Sequence, residues 1–195
     1  MTTRRKLINS RTIVWLILAA PFVYLSYRYL AGQIYYGEML HASGELSVRL
    51  LMLTLAVTPA RVLFPKARWT RWLLMQRRYL GVAAFAYAAL HTIVYLDKQD
   101  LAGIVEDSML FEMWTGWLAL LIFLLLAVTS NDRAVAWLKR RWKTLHRLVY
   151  AAAALTFIHW IFSAFDVVPA LAHLAVIAVL EGVRLFSPSE KRASR

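Results

Sequence analysis

The sequence contains no cysteine and only 7 glycines among its 195 residues. Without cysteine the chain can form no disulfide, zinc–thiolate site or iron–sulfur cluster, and it has no thiol nucleophile. No Gly-rich nucleotide-binding fingerprint is present either. Acidic residues are also scarce, at 11 against 23 lysines and arginines. These absences direct attention to histidine, arginine and the aromatic residues as carriers of chemistry.

Apolar residues, by contrast, are abundant. They make up 61% of the chain, and the mean hydropathy is +0.54, which is rare for a soluble domain of this size. The basic residues fall in short clusters between apolar runs. The expected partner of the positive charge is therefore the membrane surface and its lipids, and no nucleic acid is expected.

Six segments are apolar over lengths close to the 20 or so helical residues that cross a bilayer. They are residues 12–30, 46–63, 79–97, 113–130, 145–165 and 169–186. The sequence thus predicts an all-α polytopic membrane protein, a six-transmembrane-helix bundle forming a single domain over residues 1–195. The first segment begins like a secretory signal, but its apolar run continues past Pro21 to Leu30. We therefore expect it to stay in place as a membrane helix.

The orientation follows from the basic residues, which concentrate at both termini and in the second and fourth connections. These four groups are Arg4, Arg5, Lys6, Arg11; Arg61, Lys66, Arg68, Arg71, Arg77, Arg78; Arg133, Lys139, Arg140, Arg141, Lys143, Arg147; and Arg184, Lys191, Arg192, Arg195. Most acidic residues lie in the other connections. The positive-inside rule then predicts that both termini are cytoplasmic.

Two histidines lie inside predicted helices at the same depth. His91 precedes the outer-end residue Asp97 by six positions, and His159 precedes Asp166 by seven. Each therefore lies about 10 Å below the outer surface. Two imidazoles at one depth on two helices are what bis-histidine ligation of a haem requires. The alternative is two unrelated histidines, each hydrogen-bonded to a neighbouring helix.

A third histidine, His146, lies about 20 Å deeper than His159 on the same predicted helix. The matching inner positions on the third helix are Arg77 and Arg78, which are not haem ligands. His146 therefore has three interpretations: a ligand of a second haem with an unusual partner, part of a flavin or quinone site, or a helix cap at the interface.

The inner arginines also have two interpretations. In the first interpretation they are topology signals that keep their connections in the cytoplasm. In the second, Arg77, Arg78 and Arg147, next to Trp142, form an anion pocket. Arginine binds phosphate with two parallel hydrogen bonds and stacks on aromatic rings, which suits FMN.

The remaining two histidines are less informative. We place His41 in the outer first connection, where it could reach a haem edge or a docking partner. His173 lies in the sixth helix among apolar neighbours, and we expect no role for it in ligation.

Several short motifs resemble a known family. In the third helix they are the run Arg77-Arg78-Tyr79-Leu80-Gly81 and then Leu90-His91, and in the fifth helix Leu145-His146, Val149-Tyr150 and His159-Trp160. They resemble the MsrQ family, the haem-binding membrane subunits of bacterial periplasmic methionine-sulfoxide reductase systems. The chain is more distantly similar to ferric-reductase transmembrane domains. It departs from that wider group in lacking an inner histidine on the third helix and a flavin/nicotinamide domain.

The resemblance implies a multi-pass protein of the bacterial inner membrane with one haem b, or two, and FMN. It implies that electrons from a quinone pool or a flavin reductase pass to a periplasmic molybdenum-containing methionine-sulfoxide reductase subunit, which repairs oxidised proteins. The sulfoxide-reducing site itself is expected in that partner. His91, His159 and His146 are the expected iron ligands, and Arg77, Arg78, Arg147 and Trp142 the expected flavin-site residues.

Two other functions fit the residues. A stand-alone transmembrane ferric or cupric reductase would share the haem and differ in its acceptor. A small transporter or proton channel would use Glu181 and the two membrane histidines.

Overall fold

A computed structural model describes residues 2–186, with side chains from Arg11 onward except that of Leu185. Within residues 2–186 the chain is all helix and short connections, without a strand, which confirms the predicted all-α class. In chain order the helices are α1 (Thr2–Leu30), α2 (Tyr36–Leu63), α3 (Arg68–Lys98), α4 (Leu101–Asp107), α5 (Phe111–Val128), α6 (Asp132–Leu138), α7 (Arg140–His146), α8 (Leu148–Ser163) and α9 (Val168–Phe186). Outside the described part fall some of the predicted topology residues: Lys191, Arg192, Arg195 and the side chains of Arg4, Arg5 and Lys6.

Most of the helical residues lie in segments that could span a membrane. In the described residues, 5 helical segments are long and apolar enough to cross a membrane: Arg11–Leu30, Tyr36–Leu63, Arg68–Lys98, Phe111–Val128 and Arg140–Ser163. The last of them comprises α7 and α8, which join at Arg147 with near-helical backbone angles, φ −70° and ψ −19°. The sixth predicted segment coincides with α9, which is not among these 5.

Three helices are longer than the sequence predicts. α1 begins at Thr2, not near residue 12. α2 begins at Tyr36, not near residue 46, and continues through Pro59 to Leu63. α3 begins at Arg68, not near residue 79. Hydropathy marks where a helix leaves hydrocarbon, whereas the backbone stays hydrogen-bonded through the interface that charged and aromatic side chains occupy. His41 therefore lies in α2 and not in a connection, which corrects the prediction.

The connections contain short helices with side-chain caps. Asp100 accepts a hydrogen bond from the Gly103 amide at the start of α4, at 2.7 Å. Asn131 accepts one from the Ala134 amide at the start of α6, at 2.8 Å. Aspartate and asparagine are favoured at this position because their side chains satisfy an amide that has no partner in the helix.

The core lies where α2, α3, α5, α8 and α9 meet. α2 packs most extensively on α3, and α5 on α8. Small side chains lie in this core: Ala84 of α3 and Ala152 of α8 are fully buried. Larger side chains such as Leu51 and Phe123 fill the space between them. Small residues let membrane helices approach closely, since packing and not hydrophobicity drives their association in lipid.

The outer faces of the same helices are apolar as well. Leu16, Val23, Leu121 and Phe162 are each more than half exposed. Apolar side chains directed outward on helices of this length require an apolar surrounding, which a bilayer provides.

Hydrogen bonds between helices fix their register. The Ser47 hydroxyl on α2 donates to the Ala84 carbonyl on α3 at 2.9 Å, and both groups are buried. The Tyr87 hydroxyl on α3 donates to the Leu18 carbonyl on α1 at 2.8 Å. In hydrocarbon no water replaces such a bond when it breaks.

Replacing Ser47 with alanine is therefore expected to destabilise the protein by about 0.6 kcal/mol, a typical value for such bonds in membrane proteins. The matched control is Thr54→Val, because among the described residues the Thr54 hydroxyl bonds the Leu50 carbonyl of its own helix and no other helix. Reversible unfolding in mixed detergent measures both. Equal stability of Ser47→Ala and the unaltered protein would contradict the assigned role.

Candidate functional site

The structure brings His91 of α3 and His159 of α8 together. Their ring centroids are 6.3 Å apart, and the ring planes are inclined at 86°. Counting residues from the outer helix ends predicted equal depth, and here the two rings lie edge to face between helices that are distant in sequence. They therefore form one site.

His91 is held by α2. Its Nδ1 lies 2.9 Å from the Leu40 carbonyl oxygen. The ring lies against Gly44, where a Cβ would be 3.0 Å from Nδ1. A larger residue at this position would have to displace the ring, so the close approach depends on the missing side chain.

His159 is held by α5 in the same way. Its Nδ1 lies 2.8 Å from the Glu112 carbonyl oxygen. A Cβ at Gly116 would be only 2.8 Å from Nδ1, closer than side chains pack. Ser163 is a more distant neighbour, with its hydroxyl 3.5 Å from the same nitrogen.

These contacts fix the protonation of both rings. A carbonyl oxygen only accepts, so Nδ1 of His91 and of His159 carries the proton and donates. Nε2 of each ring is then left with its lone pair, and within the described residues neither Nε2 has a hydrogen-bond partner. This is the usual second-shell arrangement of metal-binding histidines, in which the other nitrogen is bound to a carbonyl.

The donor set fits a haem iron. Imidazole nitrogens bind first-row metals at about 2.0 Å, so two imidazoles on opposite sides of one metal have ring centres about 6 Å apart. The observed 6.3 Å agrees with this spacing. No group of three or more His, Cys, Asp or Glu residues in the described chain could hold a metal ion by itself. A metal bound here needs its other ligands from a macrocycle, as in haem.

A second feature lies toward the basic ends of α3 and α7. It is a cavity of about 740 Å³, within the size range of cofactor sites. All five residues predicted for the inner site line it: Arg77, Arg78, Trp142, His146 and Arg147. We call it the inner cavity. Arg11 and Lys143 add positive charge to its wall, and Asp132 adds a negative one.

His146 and Trp142 form the aromatic wall of the inner cavity. Their rings stack, with centroids 3.9 Å apart. Thr129 binds both, since its carbonyl accepts from the Trp142 indole at 2.9 Å and its hydroxyl lies 3.2 Å from His146 Nε2. The Thr129 hydroxyl already donates to the Leu125 carbonyl at 2.7 Å, so it accepts from Nε2. This geometry favours His146 as a cavity wall over His146 as an iron ligand.

Gln76 is a lining residue that the sequence analysis did not identify. It is only 4% exposed, and its Oε1 has no hydrogen-bond partner among the described residues. Leaving a buried amide oxygen unpaired is costly unless a ligand pairs with it. No local sequence signal distinguishes Gln76 from a surface glutamine, so only the packing could reveal it.

The arginines of the inner cavity differ in how they are engaged. Arg78 forms a 2.6 Å ion pair with Asp132, and the hydrogen bond and charge of Arg78 hold the pKa of that carboxyl below its usual range. Arg77 donates to the Thr58 hydroxyl at 3.2 Å. Arg147 is exposed, and no ion pair involves it within the described part of the chain. The cavity therefore has arginine charge that no carboxylate neutralises.

Within the described residues, no hydrogen bond or ion pair joins the other predicted groups to His91 or His159. His41 is largely exposed, 4.0 Å from the Glu45 carboxylate one turn further along α2. His173 lies 2.7 Å from the Pro169 carbonyl of its own helix and packs against Trp160. Glu181, the acidic candidate for a transporter, is ion-paired with Arg184 at 2.8 Å.

Residues 43–157, more than half of the chain, match the family described as the ferric reductase like transmembrane component. The matched segment contains His91, Gly116 and His146 and ends two positions before His159. The chain therefore belongs to the family of ferric-reductase-like transmembrane components.

Within that family the chain is MsrQ-like. Three of its relatives carry the name protein-methionine-sulfoxide reductase heme-binding subunit MsrQ. The Xanthomonas euvesicatoria protein is 31% identical over 97% of this chain and 92% of its own length. The Deinococcus radiodurans protein is 43% identical over 76% of this chain and 74% of its own. The Azospira oryzae protein is 36% identical over 73% of this chain, which spans 62% of that relative. No solved structure matches the chain.

Proposed function

We propose that this protein is a membrane electron-transfer subunit that binds haem b between His91 and His159. The observation that supports this most strongly is the paired imidazoles, 6.3 Å apart, each with Nδ1 bonded to a helix carbonyl. A haem bound there would supply a one-electron redox couple. The residues orient both ligands before the haem binds, so little ordering is left to binding itself.

The inner cavity is the proposed site of FMN. Its arginines and lysine suit a phosphate, and the stacked Trp142 and His146 suit the face of a flat ring. The unpaired Oε1 of Gln76 suits a ligand that donates a hydrogen bond, as the ring N–H of a flavin does. These features favour FMN over a second haem in this cavity.

The two sites lie on one route along α3. The inner cavity extends to Ala84, which precedes His91 by about two helical turns, or about 10 Å. We propose that electrons enter at the inner cavity, from a quinol or a cytoplasmic flavin reductase, and leave from the haem site. The proposed acceptor is a periplasmic molybdenum-containing methionine-sulfoxide reductase subunit. In support, relatives of this chain are named as heme-binding subunits of a protein-methionine-sulfoxide reductase. The sulfoxide-reducing site would lie in that partner, and the complex would repair oxidised proteins.

This direction requires a particular topology, which we also propose: six spans in the bacterial inner membrane, with α9 as the sixth and both termini cytoplasmic. The basic inner cavity then faces the cytoplasm, as the positive-inside rule favours. α9 packs on α2 and α8, in line with membership of the same bundle.

Reporter fusions test the topology. After Arg195, a reporter that works only in the cytoplasm is expected to be active, and one that works only in the periplasm to be inactive. Inserted after Asp100, the two reporters are expected to give the opposite result. The insertion between α3 and α4 is the matched comparison for the C-terminal fusion. It follows three proposed spans, and an odd number of spans ends on the opposite side of the membrane from the N-terminus. Periplasmic activity of the fusion after Arg195 would overturn the six-span count, and cytoplasmic activity of the insertion after Asp100 would overturn the direction of flow.

Single substitutions test the haem ligands. His91→Ala and His159→Ala are each expected to abolish haem binding or weaken it severely, because one remaining imidazole holds the iron on one side only. His173→Ala is the control, since His173 Nδ1 bonds the Pro169 carbonyl of its own helix. Haem per polypeptide and the reduced-minus-oxidised spectrum measure the outcome. Full haem content in both single variants would refute the assignment.

A further set of substitutions tests the inner cavity. Gln76→Leu and Arg147→Gln are each expected to weaken FMN binding about tenfold, the equivalent of losing one hydrogen bond to the ligand. Arg71→Gln is the matched control, since Arg71 lies on α3 outside the cavity lining. Flavin per polypeptide and fluorescence quenching measure binding.

Loss of His146, or of Arg77 with Arg78, should also slow reduction of the haem by a cytoplasmic-side donor and leave haem content unchanged. Wild-type reduction rates in these variants would contradict the relay. A quinol that delivers electrons near the outer face would then be the better account.

A stand-alone ferric or metal reductase is the second candidate, favoured by the family that the chain matches. It would use the same haem site and pass electrons to an iron chelate. Reduction of ferric chelates by the purified protein without a partner distinguishes it. The transporter interpretation loses support because Glu181 is neutralised by Arg184.

A further inference from the structure

The two carbonyls that hold the histidines share a further contact. The Leu40 carbonyl also accepts from the Ser43 hydroxyl, at 3.0 Å. The Glu112 carbonyl also accepts from the Thr115 hydroxyl, at 2.7 Å. In both cases the hydroxyl residue immediately precedes the glycine on which the imidazole lies, so Ser43-Gly44 and Thr115-Gly116 are equivalent pairs.

This arrangement occurs on two helices that pack on different partners. α2 presents Leu40, Ser43 and Gly44 to α3, and α5 presents Glu112, Thr115 and Gly116 to α8. Ser43 is fully buried, and Thr115 is 6% exposed, so water does not compete for either hydroxyl. The same three-part contact on unrelated helices points to a shared requirement of the two histidines.

The chemical consequence concerns the shared oxygen. A carbonyl oxygen has two lone pairs, and in a helix one of them already accepts from the amide four residues later. The hydroxyl and the imidazole then compete for what remains. Each hydroxyl therefore weakens the bond from the imidazole Nδ1–H, and a less polarised imidazole is a weaker donor to a metal at Nε2.

We propose that Ser43 and Thr115 are positioning residues that weaken the donor strength of His91 and His159 and so raise the reduction potential of the haem. The proposal rests on the haem site of the proposed function. Weakening an imidazole donor reduces the stabilisation of ferric iron more than that of ferrous iron. The hydroxyls therefore shift the haem couple toward the reduced state.

The two hydroxyls should not contribute equally. The Ser43 hydroxyl also donates to the Met39 carbonyl, at 2.8 Å, so its single proton is divided between two acceptors. The Thr115 hydroxyl has the Glu112 carbonyl as its one acceptor within the described residues. Thr115 should therefore have the larger effect.

The test is a redox titration of the haem-loaded full chain in detergent. Thr115→Val keeps the shape and removes the hydroxyl, and it should lower the midpoint potential. At the potential where the haem of the unaltered protein is half reduced, the oxidised-to-reduced ratio of the haem in Thr115→Val should be higher by about threefold or more. A tenfold change in this ratio corresponds to about 59 mV. Ser43→Ala should shift the potential in the same direction by less, and Thr115→Ser should restore it.

The matched controls are Thr92→Val and Thr156→Val. These hydroxyls lie close to His91 and His159 in sequence but bond the Ala88 and Ala152 carbonyls, which no imidazole uses. Their midpoint potentials should stay at the wild-type value.

The outcomes separate the two claims. Absence of haem from the unaltered protein would overturn the proposed function together with this inference. Haem that is retained with an unchanged potential in Thr115→Val would overturn the inference alone, and so would equal shifts in the controls. If Thr115→Val does not retain haem, the comparison of Ser43→Ala with Thr115→Ser decides by the same criterion.

Discussion

The hydrogen bond from each imidazole Nδ1 to a helix carbonyl is the interaction on which the rest of the arrangement depends. In hydrocarbon an unpaired N–H is costly, so His91 and His159 must find acceptors on neighbouring helices. Leu40 and Glu112 provide them, but only because Gly44 and Gly116 let the rings reach the backbone.

This requirement explains the pairing of the helices. α2 must lie against α3 and α5 against α8, and these are the two most extensive contacts in the bundle. Buried alanines at the same interfaces, such as Ala84 and Ala152, allow the close approach. Ligand orientation and helix packing are therefore one structural problem, and a side chain larger than hydrogen at either glycine disturbs both.

The sequence predicted that His91 and His159 lie at one depth, but it did not predict what surrounds them. Counting residues from Asp97 and Asp166 was enough to place His91 and His159 at one depth, because helical rise is constant. The extents of α2 and α3 were wrong, because hydropathy reports lipid contact and not backbone hydrogen bonding. Which helix supports which histidine depends on contacts between distant segments, and the periodicity of a single sequence does not encode them. The Thr115-Gly116 pair is recognisable as the support of His159 only once the structure shows that Ser43-Gly44 supports His91 in the same way.

The position of the inner cavity bears on whether a second haem is needed. From the sequence, His146 and His159 are about 20 Å apart along one helix, a gap that requires a second redox group on the inner side. The cavity, however, extends from Trp142 and His146 up to Ala84, so a ligand that fills it would end about 10 Å from His91 along α3. A flat anionic cofactor there would shorten the gap and also compensate the arginine charge at its inner end. Among the residues that line the cavity His146 is the one imidazole, and the matching inner positions of α3 hold Arg77 and Arg78, which do not ligate iron. The lining therefore supports an anionic ring at this site in preference to a second haem held, like the first, between two imidazoles.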